Sequence, residues 1–189
     1  MGRFFLTMTE ADIPARIERD AWMMSVLRAA AALALPDWWI GAGFVRNKVW
    51  DVLHGVERRP HGDIDLVYFD PSDRRETTER CHDARLETLF ATGEWSSKNL
   101  ARMHEKNGDA PYASALDGIA HWPETATAVA VKLDDAGRVV VRATHGADDL
   151  LGLTVRPTPK YQHRLDVYRA RIAGKRWEER WPKLRFLER

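Results

Sequence analysis

The chain has 189 residues, of which 44% are hydrophobic and 30% are charged, and its formal net charge is +1. This balance is typical of a folded globular domain and excludes a disordered chain, and no apolar run is long enough to span a membrane. The single cysteine, Cys81, excludes a disulfide framework and favours a reducing compartment. We therefore expect a cytoplasmic protein without a membrane partner, and the sequence leaves its oligomeric state open.

Helices and strands are predicted to alternate in the first hundred residues, and a β-hairpin is predicted later. Apolar residues recur at helical spacing between Thr9, a candidate helix cap, and Pro36, and the stretch from Asp134 to Gly137 is typical of a hairpin turn. In chain order, the predictions are a helix from Thr9 to Pro36, a strand at 38–40, a helix at 44–53, a strand at 63–69, a polar helix capped by Ser72, a strand at 94–98, a helix or turn at 99–104, strands at 126–133 and 138–143, a helical turn at 148–151 and a helix at 161–172. This order predicts an α/β (α+β) fold with one mixed β-sheet packed by helices.

The C-terminal segment, residues 159–189, is predicted to be a helix and a basic tail that pack on the main domain, residues 1–158. Trp177 and Trp181 lie four residues apart among lysines and arginines. Such a pair either stacks on nucleic-acid bases or docks its aromatic face on the domain. We favour docking, because Glu178 and Glu179 dilute the positive charge.

The most informative stretch is the turn Gly41-Ala42-Gly43, which Asp63 and Asp65 follow about twenty residues later. Because side chains alternate along a strand, two acids two residues apart project from the same face. Neighbouring carboxylates repel each other unless a cation lies between them, and their hard oxygens suit Mg²⁺. Glycines let backbone amides approach a phosphate closely. The pattern therefore predicts metal-dependent nucleotidyl transfer, with Mg²⁺ or Mn²⁺ as the cofactor.

These residues resemble the signature of the DNA polymerase β-like nucleotidyltransferase superfamily. In that signature an apolar residue and two small residues precede a helix, and a strand with two alternating acids follows. More closely, the chain is similar to a group of bacterial nucleotidyltransferase-like proteins over about residues 38–160. The stretches that carry this similarity are 41–47, 49–51, 63–70, 98–99, 101–104 and 121–126.

The resemblance implies a nucleotidyltransferase fold and transfer of a nucleoside monophosphate from an NTP to a hydroxyl acceptor. Asp63 and Asp65 would hold one or two Mg²⁺ ions, and Gly41, Ala42 and Gly43 would bring backbone amides to the phosphates. The acceptor oxygen would attack the α-phosphorus in line, and pyrophosphate would leave. The base remains open, and so does the acceptor, which is a protein, an RNA or a small molecule.

A third carboxylate is the weakest part of the resemblance. The superfamily usually supplies one from a neighbouring strand, and Glu94 is our first candidate for this third catalytic acid, with Glu124 in reserve. In related sequences the acid follows the tryptophan, where this chain has Ser96. If Glu94 faces away, an alternative function arises, in which a catalytically degenerate nucleotidyltransferase fold binds nucleotide or regulates a partner.

Three arginines are candidates for phosphate contacts, because their fork-shaped donors suit phosphate oxygens. Arg46 lies one turn into the helix after the glycine turn, and Arg58 and Arg59 lie in the loop before the acid strand. A solvated surface position is the alternative for each of them.

A polar cluster follows the third predicted strand. The resemblance includes Lys98, Asn99 and Arg102 in this cluster, so we predict that they bind the nucleotide. His104 is either a base or ribose contact or a hydrogen-bonded histidine of the core.

A dinucleotide-binding module is the remaining rival. Gly41 and Gly43 after a strand, with Asp63 twenty residues later, imitate the fingerprint of such modules. The third glycine of that fingerprint is replaced by Arg46, and the fingerprint does not require a second acid at Asp65.

Overall fold

Helices and strands alternate along the computed structural model, which describes residues 8–56, 63–91 and 94–189. The helices are α1 (Asp12–Glu18), α2 (Ala21–Ala31), α3 (Gly43–His54), α4 (Glu76–Leu89), α5 (Leu100–Asn107), α6 (Ala115–Ala120), α7 (Asp148–Leu151), α8 (Pro159–Gln162), α9 (Leu165–Lys175) and α10 (Trp177–Arg180). The strands are β1 (Trp39–Ile40), β2 (Ile64–Tyr68), β3 (Trp95–Asn99), β4 (Val129–Leu133), β5 (Val139–Ala143), β6 (Thr154–Val155) and β7 (Arg185–Phe186). No helix of the described residues combines the length and the apolar character that crossing a membrane requires.

Five strands form one mixed sheet in the order β3-β2-β1-β4-β5. Strand β1 is antiparallel to both β2 and β4, strands β4 and β5 form the predicted hairpin, and β3 runs parallel to β2 at the edge. The two remaining strands, β6 and β7, pair with each other in parallel. The predicted α/β class with a mixed sheet packed by helices is confirmed.

The two faces of β2 carry different side chains, as its alternating pattern requires. Ile64, Leu66 and Tyr68 point into the main hydrophobic core, which helices α2, α3 and α4 complete. We call this side the core face. Asp65 and Val67 point to the opposite side, which we call the cleft face, and there Val67 belongs to a second, smaller apolar cluster.

Several predicted boundaries differ from the structure. The first predicted helix is two helices, because the Asp20 carboxylate accepts a 3.2 Å hydrogen bond from the Met23 amide and begins α2 afresh. Ser72 does not cap α4, since its amide and hydroxyl both bond to Asp70 and the helix begins only at Glu76. Helix α6 was not predicted, and the predicted helix at 161–172 is divided between α8 and α9.

The C-terminal segment packs against α3. Trp177 and Trp181 are buried in the main core, with their rings 5.5 and 5.1 Å from that of Trp50. The Trp181 indole donates a 2.9 Å hydrogen bond to the buried carboxylate of Asp51. The tryptophan pair therefore docks on the domain, and neither ring is free to stack on a base.

Candidate functional site

The glycine turn lies directly beside the acid strand. Because β1 is antiparallel to β2, with Ile40 opposite Leu66, the chain leaves β1 next to Asp65, and the Gly41 amide donates a 3.1 Å hydrogen bond to the Asp65 carbonyl. Asp63 immediately precedes β2 and is exposed, whereas Asp65 is half-buried. The strand alternation places both carboxylates on the cleft face, next to the turn.

The turn has an unusual backbone conformation. Ala42 has φ 53° and ψ −121°, a conformation that costs an L-residue of this kind roughly 1–3 kcal/mol. Helix α3 begins at the next residue, Gly43, without a side-chain cap. The Gly41 amide, which was predicted to contact phosphate, is already bonded to the Asp65 carbonyl in the sheet. In the described part of the chain the amides of Ala42 and Gly43 have no protein acceptor, so these two are available to an anion.

The position of Gly41 has no room for a side chain. A Cβ atom there would lie 2.5 Å from the Trp122 ring and 3.3 Å from the Val129 carbonyl oxygen. The absence of a side chain therefore lets the segment that follows α6 pack against the turn.

The electrostatics of Asp65 suit a cation site. Burial raises the pKa of Asp65 above its usual value, and the neighbouring charge of Asp63 raises it further. The positive charges of Arg46, Lys175 and Arg171 act in the opposite direction. Two like charges held together in a partly dehydrated position are stabilised by a cation, and carboxylate oxygens are ligands that Mg²⁺ accepts. The donor set therefore fits a divalent metal ion.

A cleft of about 250 Å³ opens above the cleft face beside Asp65. Its walls come from the glycine turn, from β2, β3 and α5, from the segment that follows α6, and from α8 and α9. The lining residues are Ala42, Asp65, Val67, Lys98, Leu100, Met103, Asn107, His121, Trp122, Pro123, Thr127, Tyr161 and Arg171. The cleft thus joins one carboxylate and two cations to apolar and aromatic walls.

The third acid is not found in the expected place. Ser96 is the β3 residue directly opposite Asp65, while Glu94 lies one residue before β3 begins and is exposed. Alternation along the strand places Glu94 on the same side as Asp63. Even so, the described residues contain no cluster of three or more metal-ligating side chains, so Glu94 does not complete a three-carboxylate site.

The reserve acid, Glu124, has a different partner. Its carboxylate is fully buried and accepts hydrogen bonds from Arg171, with Nε at 2.5 Å from Oε1 and Nη2 at 3.4 Å from Oε2. Because this carboxylate is already neutralised by arginine, it is not available as a metal ligand.

Arg46, a candidate for phosphate contacts, does not line the cleft. Its side chain donates hydrogen bonds to Thr127 and Asn47, and its guanidinium lies 4.2 Å from the centre of the Trp177 ring. Burial lowers its pKa to about 10, so it still carries a positive charge at neutral pH. Arg46 therefore acts on Asp65 through its charge.

The predicted polar cluster is divided between the two faces of the sheet. Lys98 pairs with Val67 and lines the cleft, whereas Asn99 pairs with Tyr68 on the core face. Asn99 is fully buried and donates to the carbonyls of Asp70 and Asp73, so its side chain fixes a loop and does not face the cleft.

Arg102 is also turned away from the cleft. It bonds to the buried carboxylate of Glu79 on α4, with Nη2 at 2.8 Å from Oε2. The same carboxylate accepts a 2.9 Å hydrogen bond from the backbone N–H of Asn99 and lies 3.7 Å from Lys98 Nζ. We therefore assign Arg102 to the framework that positions β3. His104 is buried beside Tyr112, which favours its interpretation as a core histidine. Arg58 and Arg59 lie outside the described residues.

The sequence analysis missed the residues that approach the cleft from later in the chain. Arg171 and Tyr161 come from the C-terminal segment, and His121 comes from the loop after α6. The stretch 121–126 belongs to the family resemblance, which was the signal that this loop contributes to the site. Arg171 had no such signal, because its place depends on how α9 packs.

Comparisons with known proteins agree with this fold. A family model described as nucleotidyltransferase matches residues 28–186. The chain is 30% identical to a protein whose NMR structure is described as a CCA-adding enzyme head domain, over 96% of this chain and 97% of that one, with a TM-score of 0.86. A comparison with curated proteins gives no match.

Two larger structures share the fold at lower identity. A CCA-adding enzyme in complex with CTP is 15% identical over 93% of this chain, with a TM-score of 0.58. A Thermotoga maritima CCA-adding enzyme in complex with tRNA is 15% identical over 97% of this chain, with a TM-score of 0.51. The chain spans only 42% and 41% of the lengths of these two enzymes.

Proposed function

Because the chain belongs to the nucleotidyltransferase family, we propose that it transfers a nucleoside monophosphate from an NTP to a hydroxyl acceptor, with a divalent metal ion held by Asp63 and Asp65. The observation that carries this proposal is the position of Asp65, which lines the cleft beside the strained glycine turn. When bound to the two carboxylates, Mg²⁺ or Mn²⁺ supplies Lewis-acid stabilisation of the negative charge on the triphosphate.

The glycine turn is suited to bind phosphate oxygens. The amides of Ala42 and Gly43 lie at the N-terminus of α3, where the helix dipole favours an anion. Lys98, on the opposite wall of the cleft, adds a positive charge. In the proposed reaction the acceptor hydroxyl loses its proton to water, its oxygen bonds to the α-phosphorus, and the bond from that phosphorus to the leaving pyrophosphate breaks.

The apolar walls of the cleft suit a nucleobase. Met103, Trp122 and Tyr161 provide flat, apolar surface, and Asn107 and His121 provide polar groups beside it. Pockets for small molecules commonly combine apolar walls with a few polar groups. The shared fold of enzymes solved with CTP and tRNA makes nucleotides and RNA the first substrates to test.

The proposal is tested by incubating the protein with each labelled NTP, with Mg²⁺ or Mn²⁺, and with RNA, protein extract or small metabolites as acceptors. We expect label transfer that EDTA abolishes and that Asp65→Asn reduces more than about 100-fold, since losing even an outer-shell partner of a metal ligand costs 10- to 100-fold. Asp135→Asn, at an exposed hairpin position, is the matched control and should keep full activity.

Two outcomes would contradict this proposal. Transfer that survives Asp65→Asn at the wild-type rate would remove the carboxylates from the reaction. Nucleotide binding without transfer to any class of acceptor would support the alternative, a degenerate nucleotidyltransferase fold that binds nucleotide or regulates a partner, which the incomplete third acid favours.

A further inference from the structure

We propose that Arg171 binds the triphosphate of the bound NTP, and that Glu124 positions its guanidinium for this contact. The inference rests on the proposed function and extends it, because it adds a phosphate-binding side chain from the C-terminal helix α9 to a site otherwise built from the sheet and α3.

The contact with Glu124 fixes one edge of the guanidinium. Arg171 Nε lies 2.5 Å from Glu124 Oε1 and Nη2 lies 3.4 Å from Oε2. An arginine side chain has five N–H donors in a planar fork. Two of them bond to Glu124, so the outer donors on Nη1 and Nη2 are left for another acceptor.

The position of Glu124 is rigid. Its carboxylate has no exposed surface, and its backbone carbonyl accepts hydrogen bonds of 3.0 Å from the amides of both Thr127 and Ala128. Helix α9 is also anchored, because the Tyr168 hydroxyl lies 3.0 and 2.9 Å from the carbonyl oxygens of Val155 and Leu187. The arginine is therefore held from both sides before any ligand arrives.

The free edge of Arg171 lies at the cleft. Its side chain is 31% exposed and lines the same cleft as Asp65 and Ala42. Arg46, three of whose donors bond to Asn47 and Thr127, adds a buried positive charge nearby that acts on Asp65. Glu124 neutralises only one of these two arginines, so one positive charge remains on this wall to offset Asp65 and to attract a phosphate.

The chemistry of the guanidinium matches the phosphates of the substrate. Arginine binds phosphate oxygens through parallel hydrogen bonds, and such charge-assisted bonds are stronger than neutral ones. A carboxylate on the far edge sets the plane of the guanidinium, which lowers the entropy lost on binding.

The test measures binding of Mg²⁺–NTP, of the matching nucleoside and of tripolyphosphate to the wild type and to Arg171→Gln. We expect Arg171→Gln to weaken NTP and tripolyphosphate binding roughly 10- to 100-fold, the range for hydrogen bonds to charged groups, and to leave nucleoside binding unchanged. Arg171→Lys should recover part of this loss, and Glu124→Gln should raise the KM for NTP more than it lowers kcat.

Arg169→Gln is the matched control. Arg169 lies on the same helix and bonds to Glu188 through the same fork, with Nε at 2.7 Å from Oε1, but this pair is on the surface. Its loss removes the same charge and should leave the ratio of NTP to nucleoside affinity unchanged.

An unchanged ratio in both Arg171→Gln and Arg171→Lys, in proteins that melt as the wild type does, would overturn the inference and leave the proposed function standing. Failure of the wild type to bind any NTP would instead overturn the proposed function, and the inference with it. If Arg171→Gln does not fold, the ratio in Arg171→Lys decides, since that variant keeps the positive charge beside Glu124.

Discussion

Two buried arginine–glutamate pairs lie on opposite sides of this sheet and illustrate two uses of the same chemistry. On the core face, Glu79 of α4 binds Arg102 of α5 and also accepts the Asn99 amide. On the cleft face, Glu124 binds Arg171, and the outer edge of that arginine lies at the cleft. Both glutamates are at most 1% exposed. Burial of the glutamate is therefore the same in the framework pair and in the pair at the site. The difference is that Arg171 lines the cleft and Arg102 does not.

Removing each glutamate in turn is the strongest test of this difference between the two pairs. Glu79→Ala should lower the free energy of unfolding by about 3 kcal/mol, near the lower end for a broken buried pair because Arg102 is 21% exposed. Glu124→Ala should cost a similar amount, since it too leaves an arginine without its acceptor. Chemical denaturation measures both losses, and label transfer is then assayed on the folded protein.

The two variants should differ in activity. Transfer per folded molecule should fall less in Glu79→Ala than in Glu124→Ala. Equal losses of transfer in the two variants would show that the two pairs have the same role, and the comparison would fail.

A methyl group at Gly41 tests the packing on the cleft side of the sheet, and its expected effect is smaller than that of removing a glutamate. Gly41→Ala places a Cβ 2.5 Å from the Trp122 ring and so pushes on the segment that carries Glu124. We expect a loss of about 1–3 kcal/mol in unfolding free energy, as for other overpacked sites, and weaker NTP binding. Gly43→Ala is the matched control for stability, since its Cβ would meet only side-chain atoms, with Asn47 Nδ2 at 3.1 Å and Arg46 Nη2 at 3.5 Å. A milder loss in Gly41→Ala than in Gly43→Ala would contradict the close packing of the turn on the cleft side.

The smallest expected effect concerns the strain at Ala42. Ala42→Gly relieves a conformation that costs roughly 1–3 kcal/mol, while the freedom of glycine in the unfolded chain offsets about 0.4–1 kcal/mol of this gain. We therefore expect an increase of about 1 kcal/mol in unfolding free energy, measured by denaturation. Destabilisation by this substitution would show that the positive φ carries no strain.

Local patterns in the sequence were sufficient to predict that the glycine turn and the acid strand lie side by side. Alternation placed Asp63 and Asp65 on one face, and the small residues before the helix predicted a turn that the structure indeed packs against Asp65. These features depend on residues close in sequence or on adjacent strands. The strand and helix types were predictable for the same reason.

The partners of the charged residues were not predictable in this way. Lys98 and Asn99 are neighbours in sequence but lie on opposite faces, and Arg102 bonds to a glutamate 23 residues earlier. Arg171 and Glu124 are 47 residues apart, on segments that meet only through tertiary packing. A single sequence gives no signal for such pairs, so nearby charges were grouped by proximity along the chain.

The packing of the two C-terminal tryptophans on α3 connects the C-terminal segment to the helix that follows the glycine turn. Helix α3 starts at the glycine turn, and its later residues Trp50 and Asp51 hold Trp177 and Trp181. A shortened chain that ends before Trp177 would therefore expose aromatic surface on the helix that presents the turn amides. The folding of any C-terminally truncated variant should therefore be verified before its activity is measured, because misfolding caused by the truncation would otherwise be read as loss of activity.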